Sequence, residues 1–295
     1  MIVERLGLDA GFMRRLERLA LIARQRKQGY GAGPRRSPAT GSSVEFSDFR
    51  TYAAGDDFRR VDWNAFARLD RLFMRVFEAE DNTTVTIFVD CSRSMEGGDP
   101  PKSRLARQLA ASLVYIALAN YDRVAVAGIG DRPLPYLAPR SGIQRAAEVW
   151  RFIADLPETA HAALDGLRLF EAYRPAPGLA IVISDMLTES DWRVGLRALQ
   201  GVCRQEVTLV QILAPDELHP TLDGDLTLVD AETGARTELS ITPAVLARYQ
   251  AALAAYTGEL SSWTRRQGIP FLQASSSVSI EDLVLRLLVS HGVAK

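Results

Sequence analysis

Three oxygen-bearing side chains alternate at Asp90, Ser92 and Ser94, directly after the apolar run Thr84-Val85-Thr86-Ile87-Phe88-Val89. A turning loop with oxygens at alternate positions can converge one carboxylate and two hydroxyls on a point. Those are hard ligands, suited to Mg²⁺ or Mn²⁺, which keep several waters and accept carboxylates few at a time. A second acid, Asp185, ends the run Ile181-Val182-Ile183-Ser184 and is expected in the same place. One carboxylate with two neutral hydroxyls makes a weak, open site. An acidic side chain from a partner could complete it, which is a binding mechanism and not a catalytic one. The alternative use of Asp, Ser and Ser is to cap the loop and the helix start, since these residue types favour turns and N-caps.

For these side chains to meet, the chain must deliver Asp90 and Asp185 to the same edge of one sheet. From residue 83 the sequence alternates strand and helix patterns, which predicts a mostly parallel α/β sheet with helices on both faces. Thr84–Val89, Arg123–Ile129, Leu179–Ser184, Val207–Leu213 and Ile269–Gln273 read as strands. Lys102–Asp122, Ile143–Leu156, Ala160–Tyr173, Asp191–Val202, Pro243–Gln267 and Ile280–Ser290 read as helices. Leu105, Leu109, Leu113, Ile116 and Ala117 give the first of these helices an apolar face. In such sheets ligands bind beyond the carboxyl ends of the strands, where Asp90 and Asp185 stand. A hairpin insertion is expected within residues 216–242, turning at Glu232-Thr233-Gly234.

The expected domain division is 1–82 against 83–292. Residues 8–28 form an amphipathic pattern with Leu8, Phe12, Leu16, Leu19 and Ala23 at helical spacing, and the Gly- and Pro-punctuated stretch 29–38 reads as a linker. Residues 1–45 carry nine basic and four acidic groups, although the whole chain is balanced at 35 against 36. A net charge of −1 gives no global attraction to nucleic acid or anionic lipid. Two cysteines, Cys91 and Cys203, and three scattered histidines build neither a disulfide framework nor a zinc set. The longest apolar stretch, around Leu109–Ala119, falls short of the ~20 residues that a membrane span needs. The expectation is a cytoplasmic protein without membrane insertion.

Asp-x-Ser-x-Ser after a strand, with a later strand-ending Asp, resembles the metal-ion-dependent adhesion site of von Willebrand factor A (vWA) domains. The flanking text is more specific: Phe46-Ser47-Asp48-Phe49-Arg50-Thr51-Tyr52-Ala53-Ala54-Gly55-Asp56-Asp57-Phe58-Arg59-Arg60-Val61-Asp62-Trp63, then Ala67-Arg68, then Asp90 to Met95. It resembles the bacterial domain of unknown function 58 family over about 50 residues of signature. That resemblance implies a vWA-like, non-catalytic protein-binding adaptor that works with a MoxR-type AAA+ ATPase or its client. vWA sites add a loop threonine. The matching stretch here is Leu156-Pro157-Glu158-Thr159-Ala160-His161-Ala162-Ala163-Leu164, where Thr159 or His161 takes that place. Arg93, inside the loop, is a cation that would repel or replace a metal.

Around Gly55, the acids Asp56, Asp57 and Asp62 balance Arg59, Arg60 and Arg68 beside Trp63. Arginine forks pair carboxylates bidentately and stack on an indole, so this is either a structural clamp or a partner-docking face. No P-loop and no Gly-x-Ser-x-Gly elbow is present, and Asp131-Arg132-Pro133 breaks the dinucleotide fingerprint begun by Gly128-Ile129-Gly130. The enzymatic alternative is a Mg²⁺-dependent phosphohydrolase of haloacid-dehalogenase type with Asp90 as nucleophile. That chemistry needs a second carboxylate two residues on, as general acid, and the position holds Ser92.

Overall fold

A computed structural model describes residues 5–7, 11–18, 44–51, 73–79, 83–130, 135–160 and 164–288. The chain divides into two compact units: Met1–Gly31 with Thr83–Lys295, and Ala32–Asn82. In the second unit β1 (Val44–Thr51) pairs antiparallel with β2 (Phe73–Ala79), with a register shift between Phe46 and Asp48.

The larger unit is built on a six-stranded sheet of β3 (Thr84–Asp90), β4 (Arg123–Ile129), β5 (Tyr136–Arg140), β6 (Gly178–Ser184), β7 (Gln205–Leu213) and β10 (Phe271–Ser275). Their spatial order is β10-β7-β6-β3-β4-β5, with β5 alone antiparallel. Five strands thus run parallel, as the alternating pattern predicts. Counted within the sheet, this is the doubly wound order, in which the winding reverses between the first strand and the fourth. Here those are β3 and β6, and in sheets of this order the binding crevice lies beyond the carboxyl ends of these two strands. The edge strand β5 is not legible as a strand in the sequence. It is five residues long and contains Pro139, which only an edge tolerates.

β3 is buried along its whole length because side chains on its alternate faces meet different layers. Val85, Ile87 and Val89 pack with α1 (Lys102–Ala119), α2 (Ala146–Ala154) and α6 (Ile280–Leu288). Phe88 faces the opposite layer with Leu164, Leu167 and Phe170 of a 3-10 helix (Leu164–Tyr173). That layer also holds α3 (Trp192–Gln200) and the end of α5 (Pro243–Arg266). Phe88 and Phe170 meet edge to face at 5.0 Å, a contact that adds roughly 0.5–1.5 kcal/mol to the burial itself. Between β7 and α5 lie the short α4 (Pro215–Leu218) and the hairpin β8 (Gly224–Val229) and β9 (Arg236–Ile241).

Residues 11–18 are helical, within the span that the amphipathic pattern predicts, and the rest of that span lies outside the described residues, as does the linker at 29–38. Phe12 and Leu16, one turn apart, are buried in the α1/α2/α6 layer together with Leu6. Arg15 pairs with Glu281 at 2.6 Å and Arg5 with Asp155 at 3.0 Å. Residues 1–31 therefore group with the α/β body and not with 32–82, which differs from the division expected at residue 82. Leu6, Phe12 and Leu16 find their cover on the sheet's own helices.

Candidate functional site

Asp90 and Asp185 stand at the adjacent ends of β3 and β6, at the reversal of the sheet. Asp90 closes the strand, 2% exposed. Its Oδ1 accepts from the Ser92 backbone N–H at 2.9 Å, which turns the loop back over the strand end, and its Oδ2 accepts from the Ser184 hydroxyl at 2.5 Å. The Ser184 oxygen in turn accepts from the Met186 N–H at 2.9 Å. Asp185 is fully buried, with Oδ1 accepting from the Leu187 N–H at 2.9 Å. Met186, next along, has φ 61°, a left-handed conformation that costs an ordinary residue roughly 1–2 kcal/mol. Such strain persists where surrounding contacts over-determine it. Here full burial does so with three hydrogen bonds: Met186 N–H donates to Ser184, and its carbonyl accepts from the Thr188 N–H and the Tyr256 hydroxyl.

The Ser92 and Ser94 hydroxyls lie 3.0 Å apart. Thr159 runs parallel to Ser92: its N–H donates to the Cys91 carbonyl at 2.8 Å, and its carbonyl accepts from the Arg93 N–H at 2.9 Å. Thr159 is thereby bound backbone to backbone against the Asp90 loop, whereas His161 lies outside the described residues. Gly130 makes this approach possible. A Cβ there would come within 2.3 Å of the Thr159 hydroxyl and 2.7 Å of its Cβ. The Gly-x-Gly run that suggested a nucleotide loop instead leaves room for the threonine.

Arg93 is turned outward, where it pairs with Glu158 at 2.9 Å with both side chains about half exposed. The cation inside the crevice is Lys102, 1% exposed at the first position of α1. Its ammonium donates to Asp185 Oδ2 at 2.8 Å and to Glu217 Oε1 at 2.5 Å. Glu217, on α4, also accepts from the Ala214 N–H through Oε2 at 2.7 Å. The structure brings Asp90, Ser92, Ser94 and Asp185 to one edge together with Thr159, one of the two residues the sequence offered for the loop position, and adds Ser184, Lys102 and Glu217, which sequence reasoning missed. A lysine three residues ahead of Leu105 and seven ahead of Leu109, on the apolar face of α1, was the available signal for the second of these. Asp56, Asp57, Arg59, Arg60, Asp62, Trp63 and Arg68 lie outside the described residues.

Burial, and then the nearby Asp185 carboxylate, push the Asp90 carboxyl up to about 6. Burial and the Asp90 charge push the Cys91 thiol up to about 12, so it stays protonated and is a packing group, not a nucleophile. Asp90 lies beside Asp185, which shares the Lys102 ammonium with Glu217, so three carboxylates stand against one cation. With all ionised, two negative charges are left uncompensated, and a divalent cation would neutralise them. Among the described residues no cluster of three or more His, Cys, Asp and Glu is placed to hold a metal. An ion here would thus depend on hydroxyl oxygens beside the acids. The donor set fits a hard, hydrated divalent ion and not zinc.

Fold and site together define a doubly wound α/β protein with a carboxylate–hydroxyl crevice at the switch point of its sheet. The family model described as "Protein of unknown function DUF58" matches residues 48–258, and the chain belongs to that family. An uncharacterised protein of Mycobacterium tuberculosis is 30% identical over 266 residues, covering 87% of this chain and 82% of its own. Among solved structures, BatB from Bacteroides thetaiotaomicron is similar with a TM-score of 0.43 and 14% identity, over 71% of this chain and 98% of that one. The VWA domain of SpRpn10 gives a TM-score of 0.41 and 11% identity, over 69% and 94%. Among the described residues no helix is long and apolar enough to cross a membrane.

Proposed function

We propose that this protein is a non-catalytic, vWA-like binding adaptor that docks an acidic side chain of a protein partner onto a Mg²⁺ or Mn²⁺ ion. Ser92, Ser94 and Thr159 would offer hydroxyl oxygens to the ion, with Asp90 and Asp185 supplying the charge. The observation that carries the reading is the placement of Asp90 and Asp185 side by side at the β3/β6 reversal, under a loop whose two serine hydroxyls lie 3.0 Å from each other. The partner in this reading is a MoxR-type AAA+ ATPase or its client in the cytoplasm, as the family resemblance implies. When bound, the ion would supply an open coordination position for the incoming carboxylate. The chain's own residues orient that position: Ser92 N–H and Ser184 fix the Asp90 carboxylate, and Leu187 N–H fixes Asp185.

The phosphohydrolase alternative asks Asp90 to attack phosphorus and position 92 to protonate the leaving group. A serine hydroxyl does not deliver that proton at neutral pH, and Asp90 Oδ2 already accepts a hydrogen bond from Ser184. Capture of the cognate ATPase by the full chain, with Mg²⁺ or with a chelator, tests the proposal. Wild type should retain the ATPase only with Mg²⁺, and Asp90→Ala should lose it. Equal capture by both chains irrespective of metal would overturn the ion mechanism, and turnover of phosphate esters that Asp90→Asn abolishes would favour the alternative.

A further inference from the structure

Lys102 stands where two effects oppose a charge: burial penalises the ammonium, and the positive end of the α1 dipole repels it. An apolar side chain of similar volume would pack the same space without the desolvation cost. Among the described residues Asp185 and Glu217 offset these penalties, and the two are not equivalent. Asp185 is fully buried beside Asp90, whereas the Glu217 side chain is 25% exposed on the short helix that follows β7. The ammonium thus bridges an inner carboxylate, which belongs to the candidate ion site, and an outer one, which does not. Anything that takes over Asp185 leaves Lys102 an acceptor within reach.

We propose that Lys102 is an internal counter-cation that a divalent ion displaces from Asp185, after which the ammonium rests on Glu217 alone. The inference depends on the ion-site reading above and adds to it a competitor and a receiving group. Ion binding then includes moving a charge that the chain itself supplied, so affinity is set partly by how well Glu217 holds the released ammonium. It also links the ion to the β7–α4 corner, since Glu217 fastens Ala214 as well.

Calorimetric titration of the full chain with MgCl2 alone tests this in wild type, Lys102→Met, Glu217→Gln and the double variant, with Asp90→Ala as control. Removal of the competitor should tighten Mg²⁺ binding about tenfold or more, and removal of the receiving group should weaken it about tenfold. In the Lys102→Met background Glu217→Gln should matter less than about threefold, because no ammonium remains to be received. If Glu217→Gln weakens binding equally in both backgrounds, Lys102 is only a fixed charge and the exchange is refuted. Unchanged or weaker affinity in Lys102→Met, with binding still lost in Asp90→Ala, removes the inference and leaves the ion site standing. Absence of binding in every chain removes both. Should Lys102→Met not fold, ¹⁵N-lysine NMR of wild type reads the same event. The Lys102 ammonium should exchange with water at least about tenfold faster at saturating Mg²⁺. An unchanged rate at saturation would overturn the proposal.

Discussion

Arg93 opens the short 3-10 helix on the rim of the crevice and Lys102 opens α1 on its floor, and each pairs with acids far away in sequence. The rim pair, Arg93 with Glu158, is 55% and 48% exposed, so water and salt screen it and both side chains give up rotamer freedom to hold it. The floor triad of Lys102, Asp185 and Glu217 is 1%, 0% and 25% exposed. Its attraction is strong because water is excluded, and for the same reason none of its members can be removed cheaply. The charged residue nearest the signature serines is therefore not the one that governs their electrostatics. Burial, and not proximity in sequence, decides which cation the carboxylates feel.

The largest effect is expected at the floor. Lys102→Ala leaves Asp185 and Glu217 without their cation and should cost about 3–5 kcal/mol of unfolding free energy in metal-free buffer. A loss below about 1 kcal/mol in urea denaturation would place the triad among ordinary surface pairs.

The next effect is a pH dependence. The Asp90 carboxyl is raised from 3.8 to about 6, so the folded protein holds its proton more tightly than the unfolded chain does. Its contribution to stability is fully present below the unfolded value, is lost as pH rises through about 6, and is constant above. Wild type should thus lose about 2–3 kcal/mol relative to Asp90→Asn between pH 4 and pH 7, in the presence of a chelator. Parallel stability curves for the two chains would show that Asp90 titrates as a solvated carboxylate.

The smallest effect belongs to the rim. Arg93→Ala should change stability by less than about 1 kcal/mol, and the change should fade as salt is added. It should also leave Mg²⁺ affinity within about twofold, since the guanidinium points away from the hydroxyls. A larger shift in affinity would return Arg93 to the role that its place in the loop suggests.

Much of the fold was legible because it rests on local pattern. The runs 84–89 and 181–184 are strands of a kind that only a doubly covered sheet accommodates, and the helix patterns between them supply the covers. Once strands and helices alternate, an acid that ends a strand falls on the carboxyl edge, so Asp90 and Asp185 were placed together by sequence alone. Tyr136–Arg140 was not legible, because a five-residue antiparallel edge with a proline carries little periodic signal. Thr159 was placed only to within two residues. Its register is set by the Cys91 carbonyl and the Arg93 N–H across the crevice, and no local rule fixes such contacts.

Apolar periodicity and the position of an acid after it suffice for the α/β class, the parallel core and the pair of strand-ending aspartates. Tertiary structure alone decided which hydroxyls meet them, that Gly130 makes room for Thr159, and which cation is theirs. Lys102 lies 83 residues from Asp185 and 115 from Glu217 along the chain. Pairing over such separations is chosen by burial. Desolvation makes an unpaired charge costly only inside the folded protein, so the choice of partner appears only there.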